Sequence, residues 1–198
     1  FPLYHCSQIV IDGNSIQNEA KFLQDYLKNC GWEMDLVDNV SDASKSPYIE
    51  LKLGTLHNGF GREEGYQLNV TEKVISIIAE TPHGIFNGIQ TLKQLCRNGS
   101  TVDGCNIADE PAFSWRGYMI DVGRNYMSPS LLKKQIDVMA GTKMNVFHFH
   151  ATEDIAWRIQ IEKYPELTQA INMQRNKGMF YSTDEIKELI DYCKKRHI

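Results

Sequence analysis

The sequence predicts an α+β domain over residues 1–110, with a mostly antiparallel sheet and two helices, followed over residues 111–198 by strand–helix units of a parallel sheet. Two strand candidates joined by a short turn indicate antiparallel pairing. Residues 19–30 place their apolar side chains on one helical face. After Pro111 the apolar pattern repeats in the order strand, helix, strand, helix.

The first half alternates short strand candidates with two helices. Its strand candidates are 7–11, 32–37, 48–53, 66–70 and 74–79. The last two are joined by Thr71-Glu72-Lys73, which predicts a hairpin. The second helix follows Pro82 and ends at Asn98-Gly99, residues 57–61 form a loop, and residues 106–111 are interpreted as a linker.

The second half contains two apolar runs, at 117–122 and 145–149, and each is followed by a helical pattern. The first helix presents Leu132 and Ile136, and the second presents Ile186 and Leu189. An eight-fold βα barrel needs about 250 residues. If this is a barrel, residues 111–198 supply only its opening units.

Composition excludes several classes of partner. The net charge of −4 and the pI near 5.9 provide no basic surface, so nucleic acid is not expected as a partner. The longest apolar run, 74–79, is far shorter than the roughly 20 residues of a membrane-spanning helix. The chain begins with Phe1, so we expect any secretion signal to be missing. Its 5 cysteines are widely spaced, and we expect them to be buried free thiols. We expect no cofactor.

Polar residues concentrate where the two strands of the second half end. Active sites of βα barrels lie at the carboxyl ends of the strands, and polar groups there cost stability unless they serve a site. The residues concerned are Asp121, Arg124 and Asn125 after the first strand, and His148, His150, Glu153, Asp154, Trp157 and Arg158 at the end of the second.

A family resemblance rests on these segments. It is carried by Arg116-Gly117-Tyr118-Met119-Ile120-Asp121-Val122-Gly123-Arg124, by Ile136-Asp137-Val138-Met139-Ala140, and by Lys143-Met144-Asn145-Val146-Phe147-His148-Phe149-His150-Ala151-Thr152-Glu153-Asp154 with Trp157-Arg158-Ile159. Together they resemble the opening of the TIM-type (β/α)8 barrel of glycoside hydrolase family 20. The first half is similar in layout to the non-catalytic domain of that family, including the helix entered through Gly84-Ile85-Phe86-Asn87-Gly88.

The resemblance implies roles for matched positions. Arg124 aligns with the arginine that binds hydroxyls of the terminal sugar, although pairing with Asp121 alone would also explain it. Glu153 aligns with a catalytic supporting carboxylate, an aspartate in the family, and its extra methylene changes that geometry. His150, Asp154 and Trp157 would line the same pocket, with core packing as the alternative for His150 and Trp157. Ile155 and Ala156 replace the usual Gln-Gly of the family, which suggests a divergent branch.

The resemblance also implies an activity. Family members hydrolyse terminal N-acetylglucosamine or N-acetylgalactosamine with retention, using the acetamido oxygen of the substrate as nucleophile. An Asp-Glu pair after the fourth barrel strand serves this chemistry. Neither Asp109-Glu110 nor Asp184-Glu185 follows a Gly-Gly at a strand end. We therefore expect the catalytic Asp-Glu pair to lie beyond Ile198 and the isolated chain to be inactive. The substrate class implies a glycan partner and an extracytoplasmic parent enzyme. Unpaired strand edges of the partial barrel would favour self-association of the isolated chain.

Two other interpretations fit part of this sequence. A metal could bind His148 and His150 with Glu153, but no third histidine lies nearby, so no metal is expected. His148 could instead be a packing residue. The chain could also be a non-catalytic carbohydrate-binding or interaction module whose functional part is the α+β half. A strand ending in Gly-Gly-Asp-Glu about 80 to 120 residues past Ile198 would argue for the enzyme.

Overall fold

The computed structural model describes residues 1–38, 47–56, 63–96 and 99–198. The chain divides into two compact units, unit 1 (Phe1–Ala112) and unit 2 (Phe113–Ile198). The boundary predicted from the sequence falls two residues earlier, after residue 110. The loop expected at 57–61 and Asn98, expected at the end of a helix, lie outside the described residues.

The described part of unit 1 contains a six-stranded sheet and two α-helices. The strands are β1 (Gln8–Asp12), β2 (Asp35–Val37), β3 (Tyr48–Leu53), β4 (Tyr66–Val70), β5 (Val74–Ala79) and β6 (Cys105–Asp109), and the helices are α1 (Gln17–Asn29) and α2 (Pro82–Leu95). The strand order is β2-β1-β3-β5-β4-β6. The candidates at 48–53, 66–70 and 74–79 are confirmed residue for residue.

The sheet is mixed, so the expectation of a mostly antiparallel sheet is wrong. β1 pairs in parallel with β2 and β3, and β3 pairs in parallel with β5. β4 runs antiparallel to both of its neighbours, β5 and β6. Helix α1 supplies the long crossover that a parallel β1–β2 pair needs, whereas the tight turn at Thr71-Glu72-Lys73 allows only the expected hairpin.

Strand β6 corrects the interpretation of 106–111 as a linker. The first four of these residues belong to β6, which pairs with β4 along its length. The Tyr66 hydroxyl donates to the Asp109 carboxylate at 2.8 Å and fastens the end of this strand. Cys105 and Ile107 are partly buried and alternate with exposed residues, which is the pattern of an edge strand with one covered face.

The core of unit 1 lies between the sheet and its two helices. Its fully buried members include Ile9, Ile11, Ile49, Leu51, Ile75, Ile77, Leu23, Leu27, Ile85, Ile89 and Leu92. Each such side chain stabilises the fold by about 1.5–3 kcal/mol. The Thr81 hydroxyl accepts from the Gly84 N–H at 3.1 Å and starts α2 with Pro82 in its first turn.

Unit 2 contains a parallel strand pair, a short hairpin and two α-helices. The elements are β7 (Gly117–Asp121), α3 (Pro129–Gly141), β8 (Val146–His150), β9 (Thr152–Glu153), β10 (Ala156–Trp157) and α4 (Thr183–Lys194). β7 and β8 pair in parallel, and β9 and β10 pair antiparallel. The order strand, helix, strand, helix is confirmed, with the hairpin as an unpredicted insertion before α4.

Helix α4 begins at a capping box and is fastened to α3 by polar contacts. The Ser182 hydroxyl accepts from the Glu185 N–H at 3.2 Å, and the Glu185 carboxylate accepts from the Ser182 N–H at 2.8 Å. Asp137 on α3 accepts from Arg196 Nε at 2.7 Å and from the Tyr192 hydroxyl at 2.9 Å. Among the described residues, no helix has the length and apolar character that crossing a membrane requires.

Candidate functional site

The polar residues that follow β7 and β8 meet at one edge of the strand pair. Asp121 and His150 are the last residues of the two strands and lie opposite each other in the register. The backbone N–H groups of Val122 and Gly123 both donate to the His150 carbonyl, at 3.0 and 3.2 Å. These bonds hold the loop that leads to Arg124 beside the chain that leads into β9.

Arg124 lies between two carboxylates. Its backbone N–H donates to Asp121 Oδ1 at 2.9 Å, and its guanidinium contacts Asp121 Oδ2. Its Nη2 lies 2.8 Å from Glu153 Oε1. The Arg124 side chain nevertheless remains 52% exposed. Since a guanidinium has five N–H donors, Arg124 retains donors for a further acceptor after these contacts.

Glu153 joins Arg124 to His150. Its Oε1 is 2.9 Å from His150 Nε2, so the same oxygen contacts both the imidazole and the guanidinium. Gly123 makes room for this side chain, because a Cβ at that position would lie 3.1 Å from Glu153 Cγ and 3.3 Å from Asp121 Oδ1. The side chain of Glu153, one methylene longer than the aspartate of the family, therefore packs closely over Gly123.

Hydrogen bonds fix the charges of Asp121 and Arg124. The backbone N–H of Arg124 is the main cause of a lowered pKa at Asp121, and the guanidinium lowers this pKa further. The hydrogen bond to Asp121, followed by the charge of Glu153, raises the pKa of Arg124 above its ordinary value. Both groups are charged at neutral pH, and they form an ion pair.

A metal ion is a poor match for this cluster. Among the described residues, Asp121, His150 and Glu153 are the group whose ligand atoms approach closely enough, within 4.8 Å of one another. The guanidinium of Arg124 contacts both carboxylates, so a divalent cation there would meet an adjacent positive charge. His148, the other member of the His-x-His motif, is exposed rather than packed, with its ring centroid 6.4 Å from that of His150.

Asp154 and Trp157 flank the cluster on the β9–β10 hairpin. Asp154 is exposed, and its negative charge contributes to the raised pKa of Arg124. Trp157 is half-buried, and its Nε1–H donates to the Ile159 carbonyl at 2.7 Å. The indole nitrogen is thus occupied, whereas part of the ring remains uncovered.

Arg158, one of the polar residues named at the end of the second strand, has a structural role that the sequence did not predict. It is fully buried, and its guanidinium donates to four backbone carbonyls, those of Val122 at 3.1 Å, Asn176 at 3.0 Å, Met179 at 2.8 Å and Arg175 at 2.7 Å. Burial is the main cause of its lowered pKa. Arg158 therefore ties the end of β7, two residues before Arg124, to the segment 173–181.

Comparison with known proteins identifies the family. Residues 1–110 match the model of glycosyl hydrolase family 20, domain 2, and residues 113–198 match the model of the family 20 catalytic domain. The chain belongs to glycosyl hydrolase family 20. The resemblance found in the sequence is thereby confirmed for both halves.

Individual relatives agree with this assignment. The chain is 42% identical over 153 residues to a beta-hexosaminidase of Porphyromonas gingivalis, a match covering 69% of this chain and 20% of that protein. A β-N-acetylhexosaminidase structure from Bacteroides fragilis has 30% identity and a TM-score of 0.83, covering 100% of this chain and 40% of its own.

A family 20 exo-β-N-acetylglucosaminidase from Vibrio harveyi, solved in complex with N-acetylglucosamine, has 25% identity and a TM-score of 0.81. The match covers 98% of this chain and 32% of that one. The chain spans only 18% to 27% of the length of eight curated relatives that it matches.

Proposed function

We propose that the protein to which this chain belongs is a β-N-acetylhexosaminidase that removes terminal N-acetylglucosamine or N-acetylgalactosamine from glycans. Family membership and relatives named beta-hexosaminidase support this activity. In this proposal, unit 1 is the non-catalytic domain, and β7, α3, β8 and α4 are the first two βα units of a TIM-type barrel.

Two features of unit 2 support the barrel. The described residues pair β7 only with β8, which leaves an outer edge on each strand of this two-stranded sheet. An apolar cavity of about 400 Å³ lies between β8 and α4 and is lined by Phe147, Phe149, Ile159, Ile186, Leu189, Ile190, Cys193, Lys194 and Ile198. A barrel would cover such a surface with further strands.

Arg124 is the proposed contact to the terminal sugar, and its anchoring is the observation that carries the proposal. The carboxylates of Asp121 and Glu153 both contact the guanidinium, and half of the Arg124 side chain remains exposed at the strand ends. A planar fork of donors suits adjacent sugar hydroxyls. Because Asp121 and Glu153 already fix its orientation, binding would cost little side-chain entropy.

Glu153 is the proposed supporting carboxylate, and His150, Asp154 and Trp157 are the proposed lining of the same pocket. By family resemblance, Glu153 would orient a histidine that supports the catalytic acid, alongside its contacts to Arg124 and His150. The reaction would proceed with retention through the acetamido group of the substrate. The Asp-Glu pair for this step would follow a later strand.

Two further properties belong to the proposal. The substrate class favours an extracytoplasmic location for the enzyme. The outer edges of β7 and β8 and the apolar cavity favour self-association when residues 1–198 are expressed alone.

Hydrolysis of a chromogenic β-N-acetylglucosaminide tests the proposal. We expect no release of chromophore by the purified chain of residues 1–198, and release by a longer polypeptide that continues through a Gly-Gly-Asp-Glu strand end. The matching α-linked substrate is the control and should not be cleaved. Release by residues 1–198 would contradict the proposed position of the catalytic pair, and inactivity of the longer polypeptide would contradict the function.

A further inference from the structure

The cysteines of this chain differ in exposure. Cys6 is buried, Cys30 is exposed, and Cys96, Cys105 and Cys193 are partly buried, so the expectation of buried thiols holds only for Cys6. Cys30 and Cys96 occupy equivalent positions, since they are the C-cap residues that directly follow α1 and α2. Their spatial relation follows from how these two helices pack.

Helices α1 and α2 pack side by side and run in the same direction. Near the start of the contact, the ring centroids of Phe22 and Phe86 lie 4.9 Å apart. One turn further along α1, the Tyr26 hydroxyl donates to the Lys93 carbonyl at 3.2 Å. Lys93 Nζ also lies 4.8 Å from the Phe22 ring centroid and 5.0 Å from that of Tyr26. Residues later in α1 therefore contact residues later in α2, as in two helices that run in the same direction.

Cys30 and Cys96 continue this line of contacts. Cys30 follows Tyr26 by four residues and Cys96 follows Lys93 by three, the spacings that keep side chains on one helical face. Both cysteines retain right-handed helical backbone, with φ −86° and ψ 0° at Cys30 and φ −75° and ψ −7° at Cys96. Continued by one more turn, this register predicts Cys30 and Cys96 as the next pair along the contact.

The electrostatics of Cys96 agree with this geometry. Burial, and after it the charge of Cys30, raise the pKa of Cys96 to about 12. The interaction between two charges falls with their separation, so an effect of one thiolate on the other supports their proximity.

We propose that Cys30 and Cys96 form a disulfide that cross-links the carboxyl ends of α1 and α2 when the protein meets a low-molecular-weight disulfide such as oxidised glutathione. This modification site is independent of the proposed hydrolase activity. It would join two residues 66 positions apart in the sequence, and closing a long loop restricts the unfolded chain.

The exchange proceeds in two steps. The exposed Cys30 loses its proton, its thiolate attacks one sulfur of oxidised glutathione, and one glutathione thiolate leaves and takes up a proton. Cys96 then loses its proton, which its raised pKa makes the slower step, and its thiolate attacks Cys30 Sγ. The Cys30–glutathione bond breaks, the protein disulfide forms, and the second glutathione leaves as a thiolate that takes up a proton. The two cysteines lose two electrons, and oxidised glutathione gains them.

The test compares the reduced chain of residues 1–198 with the same chain after incubation with oxidised glutathione. We expect an intact mass lower by two hydrogens, a linked peptide pair containing Cys30 and Cys96, and a thermal midpoint higher by about 5 °C or more. Cys30→Ser should abolish the linked pair and the thermal shift. Cys105→Ser, a change at another partly buried cysteine of unit 1, should preserve both.

Three results would overturn the inference. One is stable glutathione adducts on Cys30 without an internal link, and another is a link that involves Cys105 or Cys193. The third is a covalent dimer through Cys30 as the main product. Circular dichroism of the reduced variants separates these outcomes from loss of folding, which we do not expect because Cys30 is exposed.

Discussion

The two units of this chain are stabilised in different ways. Unit 1 closes its six-stranded sheet against two helices, and the side chains between them are almost entirely inaccessible to solvent. Unit 2 has a smaller apolar cluster around Ile120, Val122, Leu132 and Ile136. It relies in addition on a fully buried arginine that donates hydrogen bonds to backbone carbonyls.

The candidate functional site lies in the unit with the smaller apolar core. The described ionic groups that form the candidate site belong to unit 2, the unit that keeps large apolar side chains exposed, such as Ile171 at 84%. Buried hydrogen bonds hold its strand ends and loops where apolar packing is limited. In unit 1, apolar side chains packed between the sheet and the helices α1 and α2 provide most of this support.

Removing the buried guanidinium should give the largest effect on unit 2. Arg158→Met keeps the apolar stem but leaves the carbonyls of Val122, Arg175, Asn176 and Met179 without their donor. We expect unit 2 to lose about 3 kcal/mol or more of unfolding free energy, since each unsatisfied buried acceptor costs roughly 1–3 kcal/mol. Hydrogen exchange should accelerate first in segment 173–181.

Arg175→Met is the matched control, because this arginine is exposed in the same segment. It should change stability by less than about 0.5 kcal/mol. Equal effects of the two substitutions would show that the hydrogen bonds of Arg158 are not what holds the segment.

A smaller effect is expected where α2 crosses the sheet of unit 1. Gly84→Ala would place a Cβ 2.4 Å from the Gly65 carbonyl oxygen and 2.7 Å from Ala79 Cβ, so the helix must move. We expect unit 1 to lose about 2 kcal/mol, the usual range for overpacking. The thermal midpoint of unit 1 should fall by roughly 10 °C.

Gly141→Ala provides the comparison in unit 2. Nothing lies within 4 Å of a Cβ built at Gly141, the last residue of α3. Alanine there should be neutral or stabilising by up to about 1 kcal/mol. If Gly84→Ala is tolerated equally well, α2 is not held against the sheet at the distance that the structure gives.

Much of the fold could be predicted from local patterns. Short apolar segments, two of them joined by a tight turn, identified β3, β4 and β5, and helical spacing identified the helices. Strand direction was predicted less well, because a parallel pair such as β1–β3 joins segments that are distant in sequence. Strand β6 was missed because Pro111 and polar residues made 106–111 resemble a linker.

Less of the candidate site could be predicted. The sequence placed Asp121, Arg124 and Glu153 near strand ends. Glu153, however, lies in the β9–β10 hairpin, which was not predicted, and contacts Arg124 from there. Arg158 stood beside Trp157 in the motif, and no local pattern indicates that an arginine is fully buried. Its role depends on segment 173–181, which folds back from further along the chain.

The most direct test of the proposed site is kcat/KM for a chromogenic β-N-acetylglucosaminide in the longer, active polypeptide. Arg124→Ala should lower kcat/KM about 100-fold or more, since two hydrogen bonds from a charged donor are worth roughly 3 kcal/mol or more together. Arg196→Ala, which removes another arginine paired with a carboxylate, should leave it within about twofold. If Arg124→Ala also remains within about twofold, Arg124 does not bind the sugar.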